Sequence, residues 1–455
     1  MAGGVSRKIS AASARAHTRR AKKSSSSPIS SGLLRNIAVL LFFGFLAWGY
    51  QAIQPPAPKI CGSPDGPPIT APRIKLRDGR YLAYKEQGVP KDSAKYKIIY
   101  VHSFRSCRHD VAIANTISPD IIDNLGIYIL SFDKSGYGES DPNPNRTPKT
   151  IAYDIEELAD QLELGSKFYV VGFSMGGQAV WSCLKYIPNR LAGAALLAPV
   201  VNYWWPGFPA NLTNEAFYQQ FRQDQWTVRV AHYTPWLTYW WNTQKWFPSS
   251  SVVAANPEIL SRQDKELLSK KVGRNECEDA LSKPKIEQWC KGNENALRDL
   301  GNLLNISQVK EIIKGETKLV VMMGEEKFPM KNSLLPFAML LLGEKWKEEG
   351  SSEEVWKGLA NQQGEYESIH KDANVGFGKW EFSPLDLENP FPGNEGSVHL
   401  WHGDEDKIVP VTLLRYIAKQ LPWIHYHEIA GAGHSFPYAD GMSESIIKTL
   451  LLNHK

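Results

Sequence analysis

A serine stands at the centre of the pentapeptide Gly172-Phe173-Ser174-Met175-Gly176, between an apolar run, Phe168 to Val171, and a helical pattern that ends near Ile187. Strand, sharp turn and helix in this order hold a serine hydroxyl exposed at the top of a sheet. Small residues two before and two after the serine let neighbouring segments approach closely. Such a serine becomes an effective nucleophile when a histidine takes its proton and a carboxylate fixes that histidine. The sequence must therefore supply both partners.

Candidate partners lie near the C-terminus, after two predicted strands. The first strand, Ser397 to Gly403, is followed by the three carboxylates of Asp404-Glu405-Asp406. A helical pattern follows, and a second strand, Ile424 to Ile429, leads into Gly431-Ala432-Gly433-His434. Glycines in that last loop leave its backbone free to position an imidazole.

Together these segments resemble the α/β-hydrolase superfamily. His402-Gly403-x-x-Asp406-x-x-Val409-Pro410 is similar to its acid loop, Gly431-x-Gly433-His434 to its histidine loop, and Asp133-Lys134-Ser135-Gly136-Tyr137-Gly138-Glu139-Ser140 to its D-x-x-G-x-G-x-S turn. The resemblance covers roughly Arg73 to Cys183 and Ser397 to the C-terminus. It implies a mostly parallel central sheet flanked by helices, with an inserted helical cap. The whole arrangement is similar to plant α/β-hydrolases that carry N-terminal anchors.

The resemblance assigns Asp406 as the acid, because it is the third residue after Gly403, and His434 as the base. The competing residues are Asp404, Glu405, His425 and His427. A purely solvated acidic turn is the alternative for the three carboxylates. His425 and His427 alternate along a predicted strand, which is typical of packed or exposed side chains.

Acyl chemistry also needs N–H donors for the developing oxyanion, and one usually belongs to the residue after the serine, here Met175. The second is expected in the loop after the strand Lys97 to Val101, which makes Phe104 the candidate by position. The family usually has glycine where this chain has Ser103, so a backbone that required positive φ there would be strained. The alternative is that Phe104 only lines the pocket floor.

A serine nucleophile favours acyl transfer over the alkyl-ester chemistry of an elbow aspartate. We expect hydrolysis of an ester or related acyl bond of a lipophilic small molecule, through an acyl-enzyme, by a serine esterase, lipase or thioesterase. The sequence calls for no organic cofactor and no metal. Two alternatives stay open: a receptor-like protein that binds a ligand without turnover, and an acyltransferase.

Charge is unevenly distributed along the 455 residues. The chain has 52 Lys and Arg against 48 Asp and Glu, a net charge of +4. Eight of the basic residues and no acidic ones precede Asn36, so the rest carries 4 − 8 = −4, which argues against a nucleic-acid partner. The five cysteines are widely spaced and predict neither zinc nor a disulfide framework, although one bridge stays open: Cys61, Cys107, Cys183, Cys277 and Cys290.

The N-terminus predicts a membrane anchor. Residues 1–36 have the composition of a disordered basic segment, residues 37–53 are apolar and just long enough to span a bilayer, and residues 54–72 form a Pro-rich linker expected to be stiff and extended. Basic residues before the apolar run, with none immediately after, favour a single-pass protein with a cytoplasmic N-terminus in the endomembrane system. A cleaved signal peptide, an organellar transit sequence and a helix that does not insert are the alternatives.

The catalytic core is predicted in two parts, residues 73–199 and 397–455, with a cap at 200–396 between them. Val200 to Phe247 is rich in Trp, Tyr and Phe, which suits a compact aromatic cap, a lipophilic pocket or contact with a membrane. Residues 272–362 have no counterpart in an ordinary cap. They form either a genuine insertion or a translated intron, and the sequence indicates no oligomeric state.

Overall fold

The computed structural model describes residues 31–272 and 358–452. Contacts divide the chain into two units, with the boundary between Gln54 and Pro55. The first contains helix α1 (Ser31–Ile53), so residues 31–36, predicted as disordered, are helical. Its segment Arg35–Ile53, 19 residues with a mean hydropathy of 1.6, is the one described stretch long and apolar enough to cross a membrane, although a signal sequence would satisfy the same criterion.

The second unit is built on one sheet of eight strands, in the spatial order β1-β2-β4-β3-β5-β6-β7-β8. Their bounds are β1 (Arg73–Lys75), β2 (Tyr81–Gly88), β3 (Tyr96–Val101), β4 (Ile127–Phe132), β5 (Phe168–Phe173), β6 (Leu191–Leu197), β7 (Val398–Gly403) and β8 (Ile424–Ile429). Strands β3 to β8 pair in parallel, whereas β1 and β2 pair antiparallel. This is the mostly parallel sheet that the resemblance implied.

The central strands are continuous apolar runs because helices cover both faces of the sheet. The helices are α2 (Ala112–Asn115), α3 (Pro119–Leu125), α4 (Pro148–Gln161), α5 (Met175–Tyr186), α6 (Ala210–Gln219), α7 (Arg222–Tyr233), α8 (Thr238–Thr243), α9 (Arg262–Val272), α10 (Lys371–Gly376), α11 (Val411–Gln420) and α12 (Met442–Leu452). One face buries side chains of α4, α5 and α11. The other buries side chains of α2 and α12.

The described part of the cap, α6 to α10, follows β6 and precedes β7. A π-helical turn, Tyr366–His370, leads directly into α10. Asp372 of α10 is buried against the core, where its carboxylate accepts hydrogen bonds from Lys134 Nζ at 2.6 Å and Tyr137 Oη at 2.9 Å and also pairs with Arg146. Burial raises the pKa of Asp372, but Lys134 and Arg146 outweigh it and hold the pKa below the usual value. A buried ionic cluster therefore joins the cap to the core.

The Pro-rich stretch, predicted to be a stiff and extended linker, also makes contacts with the core. Cys61 is buried, Lys59 N donates to Gln363 O, and the backbone N–H groups of Thr70 and Ala71 donate to the Glu139 carboxylate at 2.7 and 2.9 Å. Prolines stiffen this stretch, but they also reduce the entropy lost when it docks on the core.

Most of the atypical segment, residues 273–357, lies outside the described residues, and with it Cys277 and Cys290. Its last residues, 358–362, were predicted to be part of the segment but pack within the folded unit. Ala360 is fully buried and its carbonyl accepts a hydrogen bond from Gly138 N at 2.8 Å. Residues 358–362 therefore belong with the folded unit.

Candidate active site

Ser174 occupies the sharp turn between β5 and α5. Its φ of 54° and ψ of −115° lie in a region that non-glycine residues rarely adopt. A Cβ at Gly172 would lie 2.2 Å from Gly176 O, and one at Gly176 would lie 2.1 Å from Val101 O. The two glycines of the pentapeptide are therefore required by close backbone approach, as predicted.

The three side chains predicted to act together form one chain of hydrogen bonds. Ser174 Oγ lies 2.9 Å from His434 Nε2, and His434 Nδ1 lies 2.7 Å from Asp406 Oδ2. Asp406 Oδ1 accepts from the amides of Ile408 and Val409 at 2.8 and 2.9 Å, which fixes the carboxylate plane. The carboxyl ends of β5, β7 and β8 bring these side chains together, although Ser174 and His434 are 260 residues apart in the sequence.

Electrostatics favour a charged Asp406 and a basic His434. Burial raises the pKa of Asp406, but His434 and the hydrogen bonds to the carboxylate lower it more, so the net pKa is below the usual value. Burial lowers the pKa of His434, but Asp406 and, more weakly, Asp264 raise it more, so the net pKa is above the usual value. The imidazole is thus able to take up a proton at Nε2 while Nδ1–H points at Asp406.

The competing residues lie elsewhere. Asp404 is exposed and its Oδ1 accepts from Gly431 N at 2.7 Å, so it shapes the histidine loop from outside. Glu405 and His425 are exposed, and the His427 ring stacks on Trp401 with centroids 3.9 Å apart. None of the four approaches Ser174 by a hydrogen bond in the described structure.

The two predicted oxyanion donors, Met175 and Phe104, line the same cavity as Ser174. No described residue accepts a hydrogen bond from either amide. Ser103 does not adopt a positive φ, so replacing the family glycine introduces no strain there; Arg105 does, at 53°. His102 holds the loop, since its Nδ1 bonds Ser103 O at 2.8 Å and its Nε2 accepts from Lys134 N at 3.1 Å.

Asp264, at the start of cap helix α9, is a site residue that the sequence interpretation missed. It is fully buried, and its carboxylate accepts from His434 N at 3.2 Å and Ser435 N at 2.6 Å. A Cβ at Gly433 would lie 2.1 Å from Ser261 Oγ, which explains the glycine before the histidine. Ser261-x-x-Asp264 forms a capping box, a motif that predicts a helix start but not a contact 170 residues away.

Above Ser174 lies a cavity of about 790 Å³, counted out to its open mouth. Apolar side chains form most of its wall, from core residues such as Val200 and Val409 and from cap residues such as Val228, Ile369 and Phe377. The aromatic-rich part of the cap packs largely on itself: Trp204 stacks on His232 with centroids 4.1 Å apart, and Tyr203 meets Phe217 edge-on at 5.3 Å. Trp226, Trp236 and Trp246 are exposed.

Within residues 31–272 and 358–452, no group of three or more His, Cys, Asp or Glu side chains is placed to hold a metal ion. The three described cysteines, Cys61, Cys107 and Cys183, are buried free thiols. Burial raises the pKa of Cys61 to about 12, so this thiol stays protonated.

Residues 98–230 match the family model described as alpha/beta hydrolase fold. A Bacillus subtilis (strain 168) protein, named as a candidate 2-succinyl-6-hydroxy-2,4-cyclohexadiene-1-carboxylate synthase, is 26% identical over 127 residues. That match spans 27% of this chain and 42% of the relative.

Similar solved structures include a thermophilic esterase from Thermogutta terrifontis, 15% identical with a TM-score of 0.45, covering 85% of this chain and 100% of that one. An esterase from Exiguobacterium antarcticum is 12% identical with a TM-score of 0.43, covering 84% of this chain and 99% of that one. The family match coincides with β3 to α7, and the strand order and the turn at Ser174 agree with it. The second unit therefore has the α/β-hydrolase fold, and its residues 98–230 match that family.

Proposed function

We propose that this protein is a serine hydrolase that cleaves an ester or related acyl bond of a lipophilic small molecule. The observation that carries the proposal is the hydrogen-bonded chain Ser174–His434–Asp406 at the floor of a largely apolar cavity. Ser174 is buried with 5% of its surface exposed. A substrate in the cavity therefore excludes bulk water from the nucleophile.

The geometry supports a two-step acyl transfer. Ser174 Oγ attacks the acyl carbonyl carbon while its proton passes to His434 Nε2, and Asp406 stabilises the resulting imidazolium. The C–O bond to the leaving alcohol then breaks, and His434 returns the proton to that oxygen. Water, deprotonated by the same nitrogen, releases the acid and restores the Ser174 hydroxyl.

The amides of Met175 and Phe104 are the donors for the oxyanion of each tetrahedral intermediate. Met175 begins α5, so its N–H lacks a helical acceptor and the positive end of the helix favours negative charge there. One such donor contributes about 10²- to 10³-fold in rate.

The test is covalent labelling with a fluorophosphonate probe. Wild-type protein should be labelled, Ser174→Ala should not, and His434→Ala should lose most of the label because Oγ is no longer deprotonated. Turnover of a p-nitrophenyl ester should fall on the order of 10⁴-fold or more in either variant. Equal labelling of wild type and Ser174→Ala would sink the proposal.

Turnover also separates the rival functions. A receptor-like protein would bind esters and react with the probe without sustained hydrolysis. An acyltransferase would transfer the acyl group to an added alcohol in preference to water.

A further inference from the structure

The cap end of the cavity carries polar groups, in contrast to its apolar wall. They belong to Gln220, Asp224, Thr227, Asn242, Ser250 and His370. Buried polar groups are normally hydrogen-bonded within the protein, because an unpaired one costs about 1–3 kcal/mol. Those without an internal partner are candidates for contact with a ligand.

Most of these groups are already paired with one another or with the backbone. Thr227 Oγ1 donates to Gln223 O at 2.9 Å, and Asn242 Nδ2 donates to Thr238 O at 3.1 Å. Ser250 Oγ and Ser251 N both donate to Asp224 Oδ1, at 2.8 and 2.7 Å. These bonds hold the cap loops together.

Two nitrogen atoms are left over: His370 Nε2 and Gln220 Nε2 are buried and have no hydrogen-bond partner in the described structure. His370 is the more constrained of the two, since only 1% of its surface is exposed. The π-helical turn Tyr366–His370 brings Ile369 and His370 into the cavity wall together. Single π turns occur often at functional sites.

The protonation of His370 follows from its neighbours. Nδ1 lies 3.1 Å from Glu365 O, a carbonyl that can only accept, so Nδ1 carries the hydrogen. Burial lowers the pKa of His370 to about 4, against a weaker upward effect of that hydrogen bond, and the Arg105 charge lowers it further. The ring is therefore neutral near pH 7, and Nε2 is a buried acceptor without a partner, on a residue that lines the cavity.

We propose that the cavity selects acyl chains that carry a hydroxyl group, which donates a hydrogen bond to His370 Nε2. The apolar wall accommodates the methylenes between the ester and the hydroxyl. This rests on the proposed function in placing the ester carbonyl at Ser174. The substrate class is then a hydroxylated aliphatic ester.

The experiment compares p-nitrophenyl hexanoate, octanoate and decanoate with their ω-hydroxy counterparts. In the wild type, the ratio of kcat/KM for the hydroxylated over the plain ester should pass through a maximum of about tenfold at one chain length, where the hydroxyl reaches Nε2. His370→Phe should abolish that maximum, so that the ratio no longer depends on chain length. His370→Gln, which retains an acceptor, should restore part of it.

Thr227→Val is the matched control, because the Thr227 hydroxyl lines the cavity but donates to its own helix. It should leave the ratio unchanged. Calorimetric titration of Ser174→Ala with octanoate and ω-hydroxyoctanoate measures the same preference without turnover. The preference should again depend on His370, even if the protein proves to be a receptor.

A flat ratio at all chain lengths, or a preference that persists in His370→Phe, would overturn the inference and leave the serine hydrolase proposal intact. Absence of labelling and of turnover, with the hydroxyl preference retained in the titration, would overturn the hydrolase proposal alone.

Discussion

Among the three neighbouring carboxylates of Asp404, Glu405 and Asp406, only that of Asp406 is buried and hydrogen-bonded to His434. We expect Asp406→Asn to reduce ester turnover by about 10⁴-fold, because the amide cannot stabilise the imidazolium and favours the wrong tautomer. Asp404→Asn keeps an acceptor for Gly431 N and Glu405→Gln changes an exposed side chain, so both should stay within a few-fold of wild type. Greater sensitivity at Asp404 would mean that the acid is misassigned.

Asp264 should affect the pH dependence of catalysis. The charged or titratable groups facing His434 are Asp406, Asp264 and, across Asp406, His402. His434 must be neutral to accept the serine proton, so activity rises as pH increases through its pKa. Asp264→Asn removes a negative charge that raises this pKa, so the acid limb of kcat/KM should move to lower pH by about half a unit or more.

The control for Asp264 is Glu266→Gln on the same helix, which removes an equal charge from an exposed pair with Arg262. Its pH profile should overlay that of the wild type. If Asp264→Asn lowers activity equally at every pH, the residue only holds the loop. A wild-type pH profile for Asp264→Glu would support a role for the negative charge.

Among the elements, the N-terminal strap, residues 55–72, should contribute to stability. Glu139 accepts hydrogen bonds from Thr70 N, Thr70 Oγ1 and Ala71 N, and loss of these leaves a buried carboxylate with Arg108 as its remaining side-chain partner. A chain beginning at Pro55 should therefore unfold at a higher temperature than one beginning at Arg73, by roughly 5 °C or more. Differential scanning fluorimetry measures this, with Thr70→Val in the longer chain as an intermediate case. Coincident melting curves would show that residues 55–72 contribute nothing to thermal stability.

Deletion of the atypical segment should preserve the folded unit only if the cut respects residues 358–362. We expect Val272 joined to Gly358 through a flexible Gly-Ser linker to yield protein that the fluorophosphonate labels at Ser174. Joining Lys271 to Gln363 also removes the buried Ala360 and its bond to Gly138, so less soluble, labelled protein should result. Aggregation of both would make the segment integral to the cap. A spliced transcript lacking its codons would identify an intron.

Local sequence patterns and the resemblance predicted the three residues that meet at Ser174, but not the contacts that support them. The strands around Ser174, Asp406 and His434 are apolar runs with clear turn residues, so their motifs can be recognised in the sequence. The roles of Asp264 and Asp372 cannot, because each carboxylate binds partners more than 150 residues away and no local pattern indicates such a contact. The contacts of the Pro-rich stretch with the core were not predicted for a related reason: composition indicates stiffness, whereas docking depends on a complementary surface elsewhere in the chain.

For the whole molecule, the apolar helix predicts attachment to membranes. Full-length protein should remain in the membrane fraction after washing with alkaline carbonate, whereas a chain starting at Pro55 should be soluble. Replacing Leu40 and Leu41 of the apolar helix by Arg should shift the full-length chain toward the wash, because charged groups at a bilayer centre are costly. Complete recovery of wild-type protein in the wash would exclude a spanning helix, and shortening of the chain would indicate a cleaved signal.

The buried Asp372 affects how ligands enter and leave the cavity. Lifting the cap away would break both ion pairs of this buried carboxylate, with Lys134 and with Arg146, so these pairs favour the closed cap. Ligand exchange must pass through the existing mouth of the cavity, so residence time should depend on ligand girth more than on length. Replacing Asp372 by Asn and both Lys134 and Arg146 by Met would remove the whole ionic cluster without leaving a buried charge unpaired, and should hasten the release of bulky products.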